Sequence, residues 1–465
     1  MHLFIPAKFG HTKKHTLYEE VGFSMNKGEV WINIRDSFWF LPTIYSILSI
    51  IAVAITALID QWVISEYKNN IPSLFLTKAT VAQTLYGSMV TSILTMTTIS
   101  FSTIMVVLTT YTKQFSPRTL QDFMKSRVTQ HVLGVFSFGF IFSLINLFLL
   151  GKEPGLGLVS PLFTVIVSIV CLAFFILFIH HSSRFLKVNN LIGAIRKNTS
   201  NLITKTFEEK SYQTATEWND NELKALKHSR AHVIPAEKSG YIQNVQYSSL
   251  IKWAKNHTLI LETNFLMGDY IQKGMPLFYY WKDAESELPN PKECTAYVLI
   301  GNERIDTQDV EFSIQKLVEI AVRAISPSLN DPHTATNCIN RIGSLLVELA
   351  TVYEPIRYYI DDQDDLRLIA QPKPFGEFLY KSFYQIKIYG YHDISVMNGV
   401  LESLYKIAAM QDEAVQKDVW IFGKTIINVV EVNQLDELDF KRFNNQVEKL
   451  AKACNENFSL KNEIQ

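Results

Sequence analysis

Residues 79–112 read ATVAQTLYGSMVTSILTMTTISFSTIMVVLTTYT, and no formally charged side chain interrupts them between Lys78 and Lys113. As a helix, this segment measures about 51 Å, whereas the apolar core of a bilayer is about 30 Å thick. The segment is therefore long enough to cross a membrane and to continue into the cytoplasm. We expect the helix to end near Ser116-Pro117.

Three further segments in the first 180 residues lack Asp, Glu, Lys and Arg, namely residues 37–59, 128–151 and 154–179. Each has about the 20 apolar residues that a membrane-spanning helix needs. The whole chain of 465 residues is 48% hydrophobic and 19% charged, and soluble domains contain roughly 25% charged residues. The sequence therefore predicts an α-helical membrane protein with four transmembrane helices.

The positive charges in the short connecting segments predict the orientation, because loops rich in Lys and Arg stay in the cytoplasm. One side would carry Lys8, Lys13, Lys14, Lys27, Arg35, Lys113, Arg118, Lys125, Arg127, Arg184, Lys187, Arg196 and Lys197. The other side would carry only Lys68, Lys78 and Lys152. Both termini are therefore expected in the cytoplasm, and the protein in the cytoplasmic (inner) membrane.

The second hydrophobic segment carries a polar stripe that repeats about every 3.5 residues, so that its members share one helix face. The stripe consists of Thr84, Ser88, Thr91, Thr95, Thr98, Ser102, Met105 and Thr109. As a helix face it extends for roughly 37 Å, which spans a bilayer. Two interpretations remain open: a water-filled pore in an oligomer, or a tight seam between helices, where Ser and Thr are favoured.

The absence of an ionisable residue inside the four segments disfavours a proton-coupled carrier, which needs a buried relay group. A neutral conduit lined by hydroxyl groups needs no such group. In the pore interpretation, Lys113 and Arg118 would lie at the cytoplasmic mouth and concentrate anions. The alternative is that both residues simply follow the positive-inside rule.

Composition changes after the membrane segments. Residues 1–200 carry an excess of positive charge and residues 201–465 an excess of negative charge. An acidic C-terminal part argues against nucleic acid as a partner, because phosphate binding needs a basic face. The four cysteines form neither a disulfide framework nor a paired metal site. The predicted regions are an N-terminal segment (1–36), a transmembrane domain (37–182), a connector helix with linker (183–230), a small β module (231–303) and a helical cytoplasmic domain (304–465).

The β module is predicted from short apolar runs between turns, at His232–Ala236, Gly240–Val245, Thr258–Thr263, Tyr270–Trp281 and Thr295–Ile300. Residues Gly268–Leu277 (GDYIQKGMPL) resemble the G-D-x-V-x-x-G-x-P-L turn of lipoyl-like barrel-sandwich domains. The hairpin lysine that carries the cofactor in those domains is not apparent. The resemblance therefore implies a small β-barrel-like module without a covalent cofactor.

The rest of the chain is predicted to be helical. Two helices should flank the loop Ser326–Pro332, and more should follow over residues 375–454. The first stripe consists of Val310, Phe312, Ile314, Leu317, Ile320 and Ala321. The later core consists of Leu379, Phe383, Ile386, Met397, Val400, Leu404, Ile407, Val419, Ile426 and Val430.

Polar groups near the predicted helix ends form a candidate ligand or interface site: Arg304, Asp309, Asn330, Asp331 and His333. Helix capping and salt bridges explain the same residues equally well. A divalent cation could bind the run Asp361–Asp365, but a solvated loop is the better interpretation because the EF-hand spacing is absent. The sequence contains no G-x-S-x-G, Walker A, H-E-x-x-H or Rossmann motif. We therefore expect no catalytic residues, metal or cofactor, and no enzyme activity.

Three blocks of the sequence resemble the bacterial predicted membrane proteins that carry domain of unknown function 2254. The first block runs from Gly87-Ser88-Met89 through Phe101-Ser102 to Gln114–Arg118. The second is Ser239–Gln243 with Gly268–Leu277, and the third is Gln308-Asp309 with Ile320–Pro327 and Asn330–Pro332. The resemblance implies a multi-helix membrane part joined to a cytoplasmic domain, and it implies no chemistry.

Together, these patterns favour an oligomeric ion channel that is lined by the second transmembrane helix and gated by its cytoplasmic domain. Its partners would be the lipid bilayer, further copies of the chain and an inorganic ion. The alternative is a membrane-anchored sensor or scaffold without conduction. A membrane enzyme that acts on lipid is a weaker third hypothesis, because no nucleophile or metal-ligand set is visible.

Overall fold

The computed structural model describes residues 39–67, 77–114, 127–150, 158–185, 187–208, 212–282, 291–458 and 460. The chain separates into two compact units, Met1–Thr97 with Met124–Phe174, and Thr98–Phe123 with Phe175–Gln465. Residues 187–460, which lie in the second unit, are called the soluble region below.

Among the described residues, four helices are long and apolar enough to cross a membrane: α1 (Phe40–Tyr67), α2 (Ala79–Gln114), α3 (Arg127–Leu150) and α4 (Ser160–Phe185). They occupy the four segments that lack charge in the sequence, so this part of the prediction is confirmed. Helix α2 contains 36 residues and is the longest of the four. The expected end of α2 at Ser116-Pro117 lies outside the described residues.

Helix α3 forms contacts with α1 and α4 in the first unit. The Tyr45 hydroxyl of α1 lies 3.1 Å from Nδ1 of His131, and the Ser49 hydroxyl donates to the Phe138 carbonyl at 2.9 Å. The Cys171 thiol of α4 contacts the Val135 carbonyl at 3.7 Å. Because hydrophobic burial is weak between helices in lipid, such polar contacts and close backbone approaches are what fix their packing.

The soluble region begins with α5 (Val188–Ile203), a π-helical turn (Thr204–Glu208), β1 (Gln213–Ala215) and α6 (Asp220–His228). Helix α5 lies where a connector was predicted, but it is docked rather than free. The Thr199 hydroxyl lies 2.7 Å from that of Ser313, and Glu348 accepts a hydrogen bond from Ser200 and pairs with Arg196. Arg196, one of the positive charges expected in the cytoplasm, therefore has a carboxylate partner.

The β-rich part contains β2 (His232–Pro235), β3 (Gly240–Val245), α7 (Tyr247–Asn256), β4 (Leu259–Thr263), β5 (Tyr270–Ile271), β6 (Pro276–Lys282), α8 (Pro291–Thr295) and β7 (Val298–Gly301). The strands lie at the predicted positions, except that the single predicted strand Tyr270–Trp281 is divided into β5 and β6 by a turn at residues 272–275. Gly268 and Gly274 have φ angles of 84° and 88°, which glycine adopts more readily than other residues.

The expected β-barrel-like module is wrong. Neither sheet is closed within the described residues, since one is an open six-stranded sheet in the order β1-β8-β9-β4-β6-β2 and the other is three-stranded, β5-β3-β7. Strands β8 (Tyr358–Ile360) and β9 (Leu366–Ile369) come from beyond the first long helices of the soluble region. Strand β9 pairs in parallel with β4, so partners distant in sequence complete the sheet and residues 231–303 do not close on themselves.

The helical part contains α9 (Val310–Ala324), α10 (Pro332–Val352), α11 (Phe375–Gly390), α12 (Ile394–Met410), α13 (Glu413–Val429) and α14 (Glu437–Ala453). All sixteen apolar residues predicted for its core are buried. Five of the six helices start at an aspartate that accepts a hydrogen bond from a first-turn amide. This capping satisfies amide groups that a helix start leaves unpaired. The five caps are Asp309, Asp331, Asp393, Asp412 and Asp436.

Asp361 organises the turn between β8 and β9. Its Oδ1 accepts hydrogen bonds from the backbone amides of Gln363 (2.9 Å) and Asp365 (3.2 Å), and its Oδ2 accepts one from Nε of Arg367 at 2.7 Å. Burial alone would raise the pKa of Asp361, but the hydrogen bonds from Arg367 and the two amides outweigh burial and lower it. The acidic run thus contributes a turn-forming carboxylate.

Replacing Asp361 with Asn is expected to destabilise the protein by about 1–3 kcal/mol at pH 7, because a charged hydrogen-bond acceptor is lost. The folded pKa of Asp361 is lowered. Its stabilisation is therefore complete above the unfolded value of about 3.9 and disappears as the pH falls through the folded value. Thermal unfolding of the full chain in detergent should show a difference from wild type that shrinks below about pH 4.

The matched control is Asp364→Asn, in the same turn, because the Asp364 side chain is exposed and its φ of 61° suits asparagine. This variant should unfold within about 0.5 kcal/mol of wild type. A destabilisation by Asp361→Asn that is the same at every pH would contradict the charge argument.

Candidate functional sites

All eight residues of the α2 stripe are exposed in the protomer. The face they form is not covered by any other described part of the same chain. At about 100° per residue, the eight positions fall within an arc of about 100° on one side of the helix. The stripe consists of Thr84, Ser88, Thr91, Thr95, Thr98, Ser102, Met105 and Thr109.

The opposite face of α2 is the packed one. Its buried residues are Ala82, Tyr86, Met89, Ile93, Ser100, Ile104 and Val107, each at most 4% exposed. The Tyr86 hydroxyl on this face lies 2.8 Å from the Ser160 hydroxyl of α4. The helix therefore packs through a mostly apolar face and presents its hydroxyl groups outward, the reverse of the usual arrangement for a helix exposed to lipid.

Several stripe hydroxyl groups donate to the carbonyl four residues earlier in the same helix. Such bonds join Thr84 to Thr80, Thr91 to Gly87, Thr95 to Thr91 and Thr109 to Met105, over 2.8–3.1 Å. An internal bond of this kind makes a hydroxyl tolerable in lipid, and it leaves the oxygen free to accept a further hydrogen bond from water. The predicted mouth residue Lys113 lies in the last turn of α2, and Arg118 lies outside the described residues.

Two of the five residues in the predicted soluble site form a buried ion-pair cluster at the start of α9. Nη2 of Arg304 lies 2.6 Å from Oδ2 of Asp309 and 3.3 Å from Oε1 of Glu311. Nζ of Lys373 lies 2.6 Å from Oε2 of Glu311. We call these four residues the Arg304 cluster.

Burial and pairing act in opposite directions within the Arg304 cluster. Burial raises the pKa of Asp309 even though Arg304 and the Phe312 amide oppose it. For Glu311, burial would also raise the pKa, but Lys373 and Arg304 together outweigh it and lower the pKa. The Asp309 carboxylate also caps α9 by accepting a 2.9 Å hydrogen bond from the Phe312 amide.

The packing around Gly268 explains why this position of the Gly268–Leu277 turn is a glycine. A Cβ at this position would lie 2.3 Å from Oδ2 of Asp309 and 2.6 Å from Nη2 of Arg304. The backbone of the turn thus lies directly against the ion pair. This close approach and the positive φ both require glycine.

The other three residues of the predicted site lie elsewhere. Asn330, Asp331 and His333 follow the end of α9, whose 15 residues separate them from Asp309 by roughly 22 Å. All three are exposed, and Asp331 caps α10 by accepting from the Thr334 amide at 3.1 Å. The structure therefore does not bring the five residues into one site, because a rigid helix separates the two groups.

A cleft of about 630 Å³ opens in the soluble region beside the Arg304 cluster, and sequence reasoning missed it. Two aromatic clusters line it. The rings of Tyr247 and Tyr359 stack in parallel with centroids 5.1 Å apart, and Tyr212 lies 5.2–5.6 Å from both. The second cluster contains Phe207, Tyr353 and Phe378, in edge-to-face contacts at 5.0–5.3 Å.

The cleft is polar as well as aromatic. Asn244, Gln246, Lys205 and the carboxylates of the Arg304 cluster also line it. Burial raises the pKa of the Tyr247 and Tyr359 hydroxyl groups, and raises that of Tyr353 to about 12. These phenols therefore stay neutral at physiological pH and can donate hydrogen bonds. The arrangement suits binding of a small molecule, and it offers no nucleophile–base pair for catalysis among the described residues.

A family model matches residues 35–406, which include all four membrane helices, both sheets and the Arg304 cluster. Its description is "Predicted membrane protein (DUF2254)". The chain belongs to the DUF2254 family. This confirms the resemblance that the three sequence blocks indicated.

Curated relatives of this DUF2254 protein are mycobacterial. Uncharacterized proteins of Mycobacterium tuberculosis and Mycobacterium bovis are each 26% identical to it over 395 residues. The matches cover 81% of this chain and 72% of each relative. No solved structure matches the chain.

Proposed function

We propose that this DUF2254 protein is an oligomeric ion channel of the cytoplasmic membrane, in which the hydroxyl face of α2 from each copy lines the pore. The observation that carries the proposal is the exposure of the complete stripe opposite the packed face of α2. Around an axis formed by several copies, such a face would supply hydroxyl oxygens to water and ions. Several stripe residues already use their own helix for the donated hydrogen bond.

The flanks of the stripe support association through α2. Apolar side chains at Val81, Leu94, Ile99, Phe101 and Val106 are also exposed on this helix. Small polar residues in the centre with apolar residues beside them suit close helix packing between copies. A pore and a dry seam between copies both use this surface, and conduction distinguishes them.

Orientation and gating complete the proposal. The distribution of Lys and Arg supports a cytoplasmic location for both termini. Helix α2 contributes residues to both compact units, because the boundary falls between Thr97 and Thr98. A conformational equilibrium in the soluble region would then bias the helix that lines the pore.

The test measures ion flux from liposomes loaded with KCl and reconstituted with the full chain, using separate K⁺ and Cl⁻ readouts. Thr95→Phe should reduce flux at least about tenfold, because a large apolar ring would obstruct a narrow neutral conduit. Ile169→Phe is the matched control, since Ile169 is 63% exposed on α4 and does not belong to the α2 surface. The control should retain the wild-type flux.

Absence of flux from the folded wild-type protein, or equal flux from wild type and Thr95→Phe, would overturn the channel. A cysteine at position 95 supplies the geometric readout, because the native cysteines among the described residues are all buried. Oxidation should cross-link Thr95→Cys between copies, and Leu172→Cys, exposed on α4, should link less. Cross-linking without conduction would favour a membrane-anchored sensor or scaffold, for which the cleft of the soluble region is the supporting observation.

A further inference from the structure

We propose that the cleft of the soluble region binds a nucleotide, with the planar base against the tyrosines and the phosphate near Lys205 and the start of α7. This proposal goes beyond the channel and does not depend on conduction, since every residue that lines the cleft lies in the soluble region. The volume of about 630 Å³ is within the range of small-molecule sites and leaves room for a nucleoside monophosphate.

The aromatic wall indicates a flat ligand. Six rings from separate segments line the same cleft, and the Tyr247–Tyr359 pair presents a layered surface with an interplanar angle of 2°. The two stacked rings leave no gap between them, so they form a wall rather than a cage around a cation. Any of the nucleobases can stack on such a surface, because every base has a flat π-face.

The side-chain amide of Asn244 has an oxygen without a hydrogen-bond partner in the described part of the chain. Its Oδ1 atom is buried and accepts no hydrogen bond from the described residues, although a buried amide oxygen is normally satisfied. The register of β3 against β7 shifts between Ile242 and Asn244, which marks a β-bulge beside the cleft. An exocyclic amino group of a base is a donor that matches this acceptor.

Two helical elements in the lining of the cleft carry groups that favour a phosphate. Gln246, at the N-cap of α7, makes no side-chain capping hydrogen bond, and the first turn with Ser248 and Ser249 lines the cleft. A helix start carries a partial positive charge that favours an anion. Lys205 is exposed in the π-helical turn, an irregularity that often occurs at functional sites.

The carboxylates in the lining do not prevent binding of an anion. Asp309 and Glu311 are paired with Arg304 and Lys373 within the Arg304 cluster. Glu354, also in the lining, is exposed to solvent, where water screens its charge. In the proposed complex, the exposed ammonium group of Lys205 therefore binds the phosphate.

The experiment is isothermal titration of the purified full chain in detergent with AMP, GMP, CMP and UMP, and separately with the four corresponding nucleosides and with inorganic phosphate. At least one nucleoside monophosphate should bind, and more tightly than either its own nucleoside or phosphate alone. Lys205→Ala should weaken binding of that nucleotide about tenfold, as expected for loss of one charge-assisted contact, and leave binding of its nucleoside unchanged. Tyr212→Leu should weaken both.

Lys417→Ala is the matched control, because Lys417 is an exposed lysine on α13, remote from the cleft lining. It should bind as wild type does. Because Lys205 is exposed, its replacement leaves the fold intact, and the result remains interpretable even where Tyr212→Leu unfolds. The proposal is overturned when no nucleotide binds the wild type at millimolar concentration, when phosphate alone binds equally well, or when Lys205→Ala and Lys417→Ala bind alike.

Discussion

Replacing Arg304 with Ala is expected to destabilise the soluble region by about 3–5 kcal/mol, because it leaves the buried Asp309 carboxylate without its ion-pair partner and Glu311 with Lys373 alone. The side chains of Asp309 and Glu311 are only 3% and 10% exposed, so water cannot replace the guanidinium. Arg304 also lies over the Phe312 ring, 5.3 Å from its centroid, and its loss removes that contact. Thermal unfolding of the full chain in detergent measures the effect.

The pH dependence of the Arg304→Ala variant separates the electrostatic argument from a loss of packing. Burial already raises the pKa of Asp309, and without Arg304 that pKa rises further. An acid whose folded pKa lies above its unfolded value is destabilising when ionised, and the penalty disappears as the pH falls through the folded value. The variant should therefore be closer to wild type at pH 5 than at pH 8.

The matched control for this substitution is Lys406→Ala. Lys406 pairs with Glu402 at 2.6 Å, but the two side chains are 53% and 45% exposed. An exposed pair one helical turn apart contributes only about 0.3–0.5 kcal/mol. A comparable effect of both substitutions, or an Arg304→Ala deficit that does not change with pH, would contradict the assigned role of the cluster.

The helical parts of this protein could be predicted because the patterns that specify a helix, namely apolar spacing and capping residues, lie within the helix or next to it in sequence. The period of Val310, Leu317 and Ala321 fixes the buried face of α9, and Asp309 and Asp331 mark the starts of α9 and α10. The membrane helices are equally local, since each consists of one uncharged segment. The spacing of the hydroxyl residues also predicts the stripe on α2. It does not determine whether this face packs against other helices of the same protomer.

The sheet and the sites could be predicted only in part because their contacts are distant in sequence. Strand β9 has four residues and pairs with β4, which lies about a hundred residues earlier. The sequence around β9 alone therefore does not predict this strand. Arg304 and Asp309 were singled out as polar residues near a helix start. Glu311 and its partner Lys373 were missed, because Lys373 lies 62 residues beyond Glu311. The cleft was missed for the same reason, since its aromatic rings come from several separate segments.

Replacing Gly139 with Leu is expected to prevent normal packing of the membrane helices, at a cost of about 3 kcal/mol or more. A Cβ at this position of α3 would lie 2.8 Å from Sγ of Cys171, 2.9 Å from Cδ1 of Ile93 and 3.3 Å from Cγ1 of Val167. These atoms belong to α2 and α4, so one added side chain would push against both helices. Neither Cys171 nor Ile93 is more than 1% exposed, which leaves little room for movement.

The chain offers Gly87→Leu as the control, because a Cβ at Gly87 of α2 would meet nothing within 4 Å in the protomer. Gly139→Leu should lower the yield of monodisperse protein in detergent and its unfolding temperature, Gly139→Ala should have an intermediate effect, and Gly87→Leu should leave protomer folding unchanged. If Gly139→Leu folds as well as Gly87→Leu, helices α2, α3 and α4 do not pack around Gly139 as closely as described above. The same packing turns the apolar face of α2 toward α3 and α4 and leaves the hydroxyl stripe exposed. Normal folding of Gly139→Leu would therefore also contradict the exposure of the stripe on which the channel proposal depends.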